Sequence, residues 1–137
     1  MGVVDDEVLA LARGANFASF TTMLPGGRPV ASLMWIDAEP DWLLINTERH
    51  RMKYRNVCRN PDVHVLILDG DDMGHYASVQ GRVEDHIWGA EARAHIDRLA
   101  QKYLGTDFDP SRIVSERVLL RVRPLHQRLR DSSVVIE

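Results

Sequence analysis

A chain of 137 residues is the length of one domain. Its 45% apolar content excludes wholesale disorder, and a formal net charge of −3 leaves no global basic field to attract nucleic acid. The lone Cys58 rules out an internal disulfide or a Cys-pair metal site, and no apolar run approaches the roughly 20 residues that span a bilayer.

The N-terminal residues 1–7 are acidic and lack a basic-then-apolar leader, so the expectation is a single cytoplasmic domain over residues 1–137. A chain this short gains from hiding apolar surface between two copies, so a homodimer is expected, with no nucleic acid and no membrane as partner. In chain order, residues 5–13 predict a short helix with Asp5 or Asp6 as cap and Gly14 as stop. Residues 17–23 and 30–37 predict two strands of a hairpin around the turn-rich segment 24–29. Residues 42–47 predict a third strand, and the polar, basic stretch 48–60 a short helix ended by Pro61. The continuous apolar run 63–68 predicts a strand buried on both faces.

After a loop at 69–74, residues 76–84 predict a strand with Gly81 at a bulge or bend. Residues 88–104 carry Ala92, Ile96, Leu99, Ala100 and Tyr103 at helical spacing, with Gly105 as the stop. Residues 116–123 alternate as a strand, Pro124 interrupts, and 125–130 resume. The fold class that follows is mainly β with helices (α+β), about six to seven strands closing into a barrel that removes exposed edges.

The segment 49–59 concentrates Arg49, Arg51, Lys53, Arg55 and Arg59 in a chain that is acidic overall. Clustered cations repel unless an anion or solvent offsets them. This cluster also sits where a strand ends and a helix begins, where free N–H groups favour anions. The spacing of Arg51, Arg55 and Arg59 equally fits a solvated helix face.

Local words then carry a family resemblance. Phe17-Ala18-Ser19-Phe20-Thr21-Thr22, Gly27-Arg28-Pro29, Ser32-Leu33-Met34-Trp35 and Asn46-Thr47 follow one another in order. Arg51-Met52-Lys53-Tyr54-Arg55-Asn56-Val57, Arg59-Asn60-Pro61 and Tyr76-Ala77-Ser78-Val79-Gln80-Gly81-Arg82-Val83 complete the series. Together they resemble the pyridoxamine 5'-phosphate oxidase-like split-barrel superfamily, most closely its deazaflavin (coenzyme F420)-dependent branch.

The resemblance implies a split β-barrel homodimer with the cofactor at the interface. It makes Thr47, Arg51 and Lys53 the phosphate and ribityl contacts, with Arg55 and Asn56 as further candidates. Ser32, Leu33, Met34 and Trp35 would line the ring, and His75 and Tyr76 of the second subunit would complete the pocket. The chain lacks the long substrate-binding C-terminal region of the full oxidases, which argues against vitamin B6 as substrate. The implied function is an F420-dependent oxidoreductase passing a hydride between reduced deazaflavin and a small organic acceptor. FMN stays open as the cofactor, as does a non-catalytic F420- or flavin-binding carrier.

Trp35, Met34 and Tyr76 also fit ordinary packing positions. The six histidines show no metal-ligand spacing, and Asp69, Asp71 and Asp72 read as a solvated turn. Cys58 reads as a small buried apolar residue. No residue is assigned as catalytic, since hydride transfer needs orientation more than an acid or base.

Overall fold

The computed structural model describes residues 3–131. Three helices, α1 (Asp6–Arg13), α2 (Met52–Arg59) and α3 (Gly89–Leu104), decorate seven strands. The strands are β1 (Phe17–Met23), β2 (Pro29–Trp35), β3 (Asp37–Glu39), β4 (Trp42–Glu48), β5 (Asp62–Leu68), β6 (Tyr76–Ile87) and β7 (Arg117–Arg130). All pairings are antiparallel, in the order β2-β1-β5-β6-β7-β4-β3.

That order has β2 at one end and β3 at the other, yet Ile36 alone separates them in the chain. A single residue reaches only about 3.3–3.6 Å, so the sheet has to curl until its two edges meet at Ile36. The expected strand 30–37 is therefore two strands, broken where the chain passes from one edge of the sheet to the other.

Beyond this joint the edges part. The β3–β4 register pairs Asp37 with Leu44 and Glu39 with Trp42. Continued past Ile36, it would set Trp35 opposite Asn46 and Leu33 opposite Glu48. Those residues instead line the two sides of one pocket. This is the split of the barrel.

Alternation fills the interior. Ala18, Phe20, Leu43, Ile45, Val65, Ile67, Val79, Val118 and Val122 point inward and are buried. Each large side chain so buried contributes about 1.5–3 kcal/mol. A smaller apolar cluster, Leu44, Ala92 and Leu119, seats α3 on the outside of β4 and β7.

Strand β5 departs from expectation. Only Val63, Val65 and Ile67 are buried, while His64, Leu66 and Leu68 are half-covered on the outer face. Cys58 also departs, since it lies on the exposed side of α2. Pro124 does not interrupt β7, because a register shift there relieves the ladder of the N–H that proline lacks. Gly81 sits opposite it, and a Cβ at that position would lie 2.6 Å from Val122 Cγ1 and 3.1 Å from the Arg123 carbonyl oxygen. The glycine anticipated at a bulge is thus required by close strand approach. Gly105, at φ +77°, closes α3 in the left-handed conformation expected of such a stop.

Helix α3 fastens the joint. Ile36 N–H donates to Tyr103 Oη at 3.0 Å, and that hydroxyl donates in turn to the Asn16 carbonyl. Lys102 Nζ donates to the carbonyls of Ile36 and Ala12, the latter at 2.9 Å. Tyr103→Phe removes the acceptor for a buried N–H. Urea denaturation should show a loss of about 1–3 kcal/mol without a change in cofactor-independent far-UV signal.

Candidate cofactor site

The basic segment after β4 reaches the split as the strand ends. Arg51 precedes α2, and Lys53 lies in its first turn. A pocket of about 190 Å³ is lined by Thr22, Val30, Ala31, Ser32, Arg51, Met52 and Lys53. A second, of about 320 Å³, has Leu33, Met34 and Trp35 on one side and Asn46 and Glu48 on the other. Arg51 lines both, so the two adjoin. Three consecutive residues of β2 lining one pocket means that the pocket abuts the strand's edge, because alternate side chains leave by opposite faces.

Arg51 and Lys53 make no side-chain hydrogen bond or ion pair among the described residues. Burial lowers the Lys53 pKa, and the nearby guanidinium groups of Arg51 and Arg117 lower it further. Cations held together without a carboxylate destabilise the fold and favour an anion between them. Arg49 and Arg82, by contrast, pair with Glu116 and Asp62 at 3.2 and 3.1 Å.

The other residues expected at the site divide. Ser32 joins Arg51 and Lys53 in the smaller pocket, and Leu33, Met34 and Trp35 line the larger one. Trp35 stacks on Tyr103, centroids 5.1 Å apart and 6° from parallel, while Met34 also packs against the core.

Thr47 is 3% exposed and lines neither pocket. It shares the strand parity of Leu43 and Ile45, which belong to the core, so a hydroxyl contact with a phosphate is not placed here. Asn56 serves as a brace: its Nδ2 donates to Thr22 Oγ1 at 3.0 Å, and its Oδ1 accepts from Arg59 Nη2 at 2.6 Å. Arg55 is exposed and donates to the His50 carbonyl at 2.9 Å. Within one protomer His75 and Tyr76 lie elsewhere. His75 pairs with Asp69 at 2.9 Å across the β5–β6 turn, and Tyr76 lines a separate surface pocket with Leu66, Leu68 and Arg128. In that turn Asp69 and Asp72 accept backbone N–H bonds from Asp71 and Gly74.

Sequence reasoning missed a buried polar chain behind the larger pocket. Arg117, with a side chain 12% exposed, pairs with Glu48 at 3.2 Å. Its Nε donates to Asn46 Oδ1 at 2.9 Å. Asn46 Nδ2 donates to the Ala92 carbonyl and to His95 Nδ1, both at 3.0 Å. Every group has one role only, so the neutral His95 carries its proton on Nε2, 3.9 Å from Asp37 Oδ2. Burial pushes the Glu48 carboxyl up, but the N–H groups of Ser115 and Val114 and the charge of Arg117 outweigh it and hold the carboxyl below its ordinary value. The alternation of 116–123 predicts a strand but names no partner for Arg117; only β4–β7 pairing, which sets Arg117 beside Glu48, reveals it.

Burial holds His95 down to about 4; Asp37 opposes this, while Arg98, Lys102 and Arg117 reinforce it. The unfolded imidazole takes up its proton near 6.5, so between pH 6.5 and 4 the unfolded chain binds more protons than the folded one. Stability should fall by about 3 kcal/mol as pH drops through that window. Denaturation midpoints measured across it test this, and His95→Gln should flatten the decline.

The sequence matches the Pyridoxamine 5'-phosphate oxidase family over residues 4–131. No curated protein matches the chain. Among solved structures, an F420 reductase superposes with a TM-score of 0.80 at 28% identity, covering 91% of this chain and 98% of the other. A conserved hypothetical protein from Mycobacterium tuberculosis gives 0.75 at 22% identity, covering 96% of this chain and 88% of its own. General Stress Protein 26 from Bacillus anthracis gives 0.69 at 20%, with 93% of each chain covered. The split between β2 and β4, the helix that follows β4 and the match over nearly the whole chain converge: the protein belongs to the pyridoxamine 5'-phosphate oxidase family of split barrels.

Proposed function

We propose that this protein is an oxidoreductase that binds a phosphorylated deazaflavin, coenzyme F420, and passes a hydride between it and a small organic acceptor. The observation that carries the reading is the pair Arg51 and Lys53, which line a pocket without any acidic partner among the described residues. The residues present fit the group. Arg51 supplies a planar fork and Lys53 a point charge for phosphate oxygens, with the Ser32 hydroxyl nearby. The free edge of β2, at Leu33, Met34 and Trp35, offers a flat apolar wall for a ring. The cofactor would supply the hydride chemistry, and the protein's part is to bind, orient and shield it.

The likeness to an F420 reductase at 28% identity supports the deazaflavin over FMN. FMN remains the second reading, because an arginine–lysine cradle takes either phosphate. A carrier that binds the cofactor without turnover is distinguished by the lack of acceptor-dependent oxidation.

The proposal includes a homodimer whose second copy closes the site. The outer faces of β5 and β7 leave Leu66 and Leu68 half-covered and Leu125 48% exposed. Covering them would bring the partner's Tyr76, at the start of β6, and the partner's His75, in the turn just before it, toward a neighbouring site. Among the described residues no helix is long and apolar enough to cross a membrane.

Lys53→Met separates binding from folding. The side chain makes no hydrogen bond, and its neutral form is favoured by burial, so the apoprotein should unfold at the same or a higher temperature. A fluorescence titration with F420, run beside FMN, should show affinity lower by about tenfold or more in the variant. Unchanged affinity would remove the phosphate site from this pocket, and tighter binding of FMN would move the protein to the flavin reading.

A further inference from the structure

The cofactor reading draws on Arg51, Lys53 and Ser32, and gives no part to Thr22, which lines the same small pocket from β1. Thr22 shares the inward parity of Ala18 and Phe20, near the end of the strand, and is 1% exposed. Its hydroxyl makes one hydrogen bond among the described residues, as the acceptor of Asn56 Nδ2 at 3.0 Å.

The direction of that bond is set from outside the pocket. Arg59, three residues further along α2, donates from Nη2 to Asn56 Oδ1 at 2.6 Å. A guanidinium has donors and no acceptor, so it decides which end of the Asn56 amide it meets. The amide oxygen turns to Arg59, and the amide nitrogen therefore turns to Thr22. A hydroxyl that accepts from that nitrogen still has its own proton to give. No acceptor among the described residues takes it, and a buried hydroxyl proton without a partner costs free energy. Beside it lies the pocket bordered by Arg51 and Lys53, where an anion would supply the missing acceptor.

We propose that Thr22 donates its hydroxyl proton to the anion held by Arg51 and Lys53, and that Asn56 and Arg59 are positioning residues that aim it there. Neither Asn56 nor Arg59 lines the pocket. The proposal rests on the anion reading of that pocket. It adds a buried hydroxyl donor in place of Thr47, which strand parity turns into the core. It also gives Arg59, one of the five clustered cations, a part in the site without contact with the ligand. The plainer alternative is that the Thr22–Asn56 bond only pins α2 to β1, and the two accounts differ in how they depend on the bond's polarity.

The test is a titration of the apoprotein with inorganic phosphate, followed by backbone amide NMR shifts. Thr22→Ser keeps the hydroxyl and should bind within about twofold of wild type, whereas Thr22→Val should bind about tenfold more weakly. Asn56→Asp keeps the shape, and a carboxylate can accept from both Arg59 and Thr22, so a mere pin would survive it. As an acceptor only, it draws the hydroxyl proton away from the pocket, and affinity should again fall about tenfold. With Thr22→Val already in place, Asn56→Asp should weaken binding by no more than about twofold, the part due to its charge. Unchanged affinity in Thr22→Val, or losses that multiply in the double variant, overturns the proposal. Lys53→Met separates it from the reading beneath. Phosphate binding lost in Lys53→Met but intact in Thr22→Val sinks the hydroxyl alone, and phosphate binding that is absent in wild type or indifferent to Lys53 sinks both.

Discussion

One residue, Ile36, joins strands at opposite ends of the sheet order, and the arrangement of the barrel depends on it. Because the chain has no slack there, the sheet curls until β2 and β3 become neighbours. The same joint fixes where closure ends. On its far side β2 and β4 run alongside each other without a hydrogen-bonded ladder, and the gap between them becomes the pocket. Tyr103 and Lys102 hold the joint from α3, so the helix that covers the pocket also secures the strand that borders it.

Two kinds of charge meet in that gap, and their difference gives the site its character. Glu48 and Arg117 neutralise each other in the largely buried wall of the pocket and are braced by Asn46, His95 and backbone N–H groups. Removing one partner of such a pair is costly, which is how a buried ion pair gains its rigidity. Arg51 and Lys53 have no such compensation. Lys53 is held partly buried beside other cations, a condition that lowers its pKa and weakens the fold. Stability given up at one place in an otherwise well-packed barrel is what the proposed anion site would recover on binding its ligand.

Much of this was legible in the sequence because it depended on local chemistry. Turn residues between apolar runs located the strands, helical spacing located α3, and the cluster of five cations in eleven residues includes Arg51 and Lys53, which line the smaller pocket. What depended on distant pairing was hidden. Nothing near Trp35 in the chain announces that Ile36 is a crossing point, and Thr47 looks available until strand parity turns it inward. The apolar run 63–68 suggested burial on both faces, but a strand with one face on the core and one on the outside of the protomer has the same composition. Arg117 belongs to an alternating strand and becomes a buried partner of Glu48 only through β4–β7 pairing. His95, set on the buried side of α3, likewise acquires its role through Asn46 on another element.

The central claim is that the Arg51–Lys53 pocket anchors a phosphate. It is tested most directly by comparing ligands that differ in that group alone: F420 against the phosphate-free ribityl deazaflavin, and FMN against riboflavin, by equilibrium titration of the wild-type protein. The account predicts that the phosphorylated member of at least the F420 pair binds about tenfold or more tightly, as expected for charge-assisted hydrogen bonds. Equal affinity within both pairs would contradict it and leave the two cations as a solvated helix face.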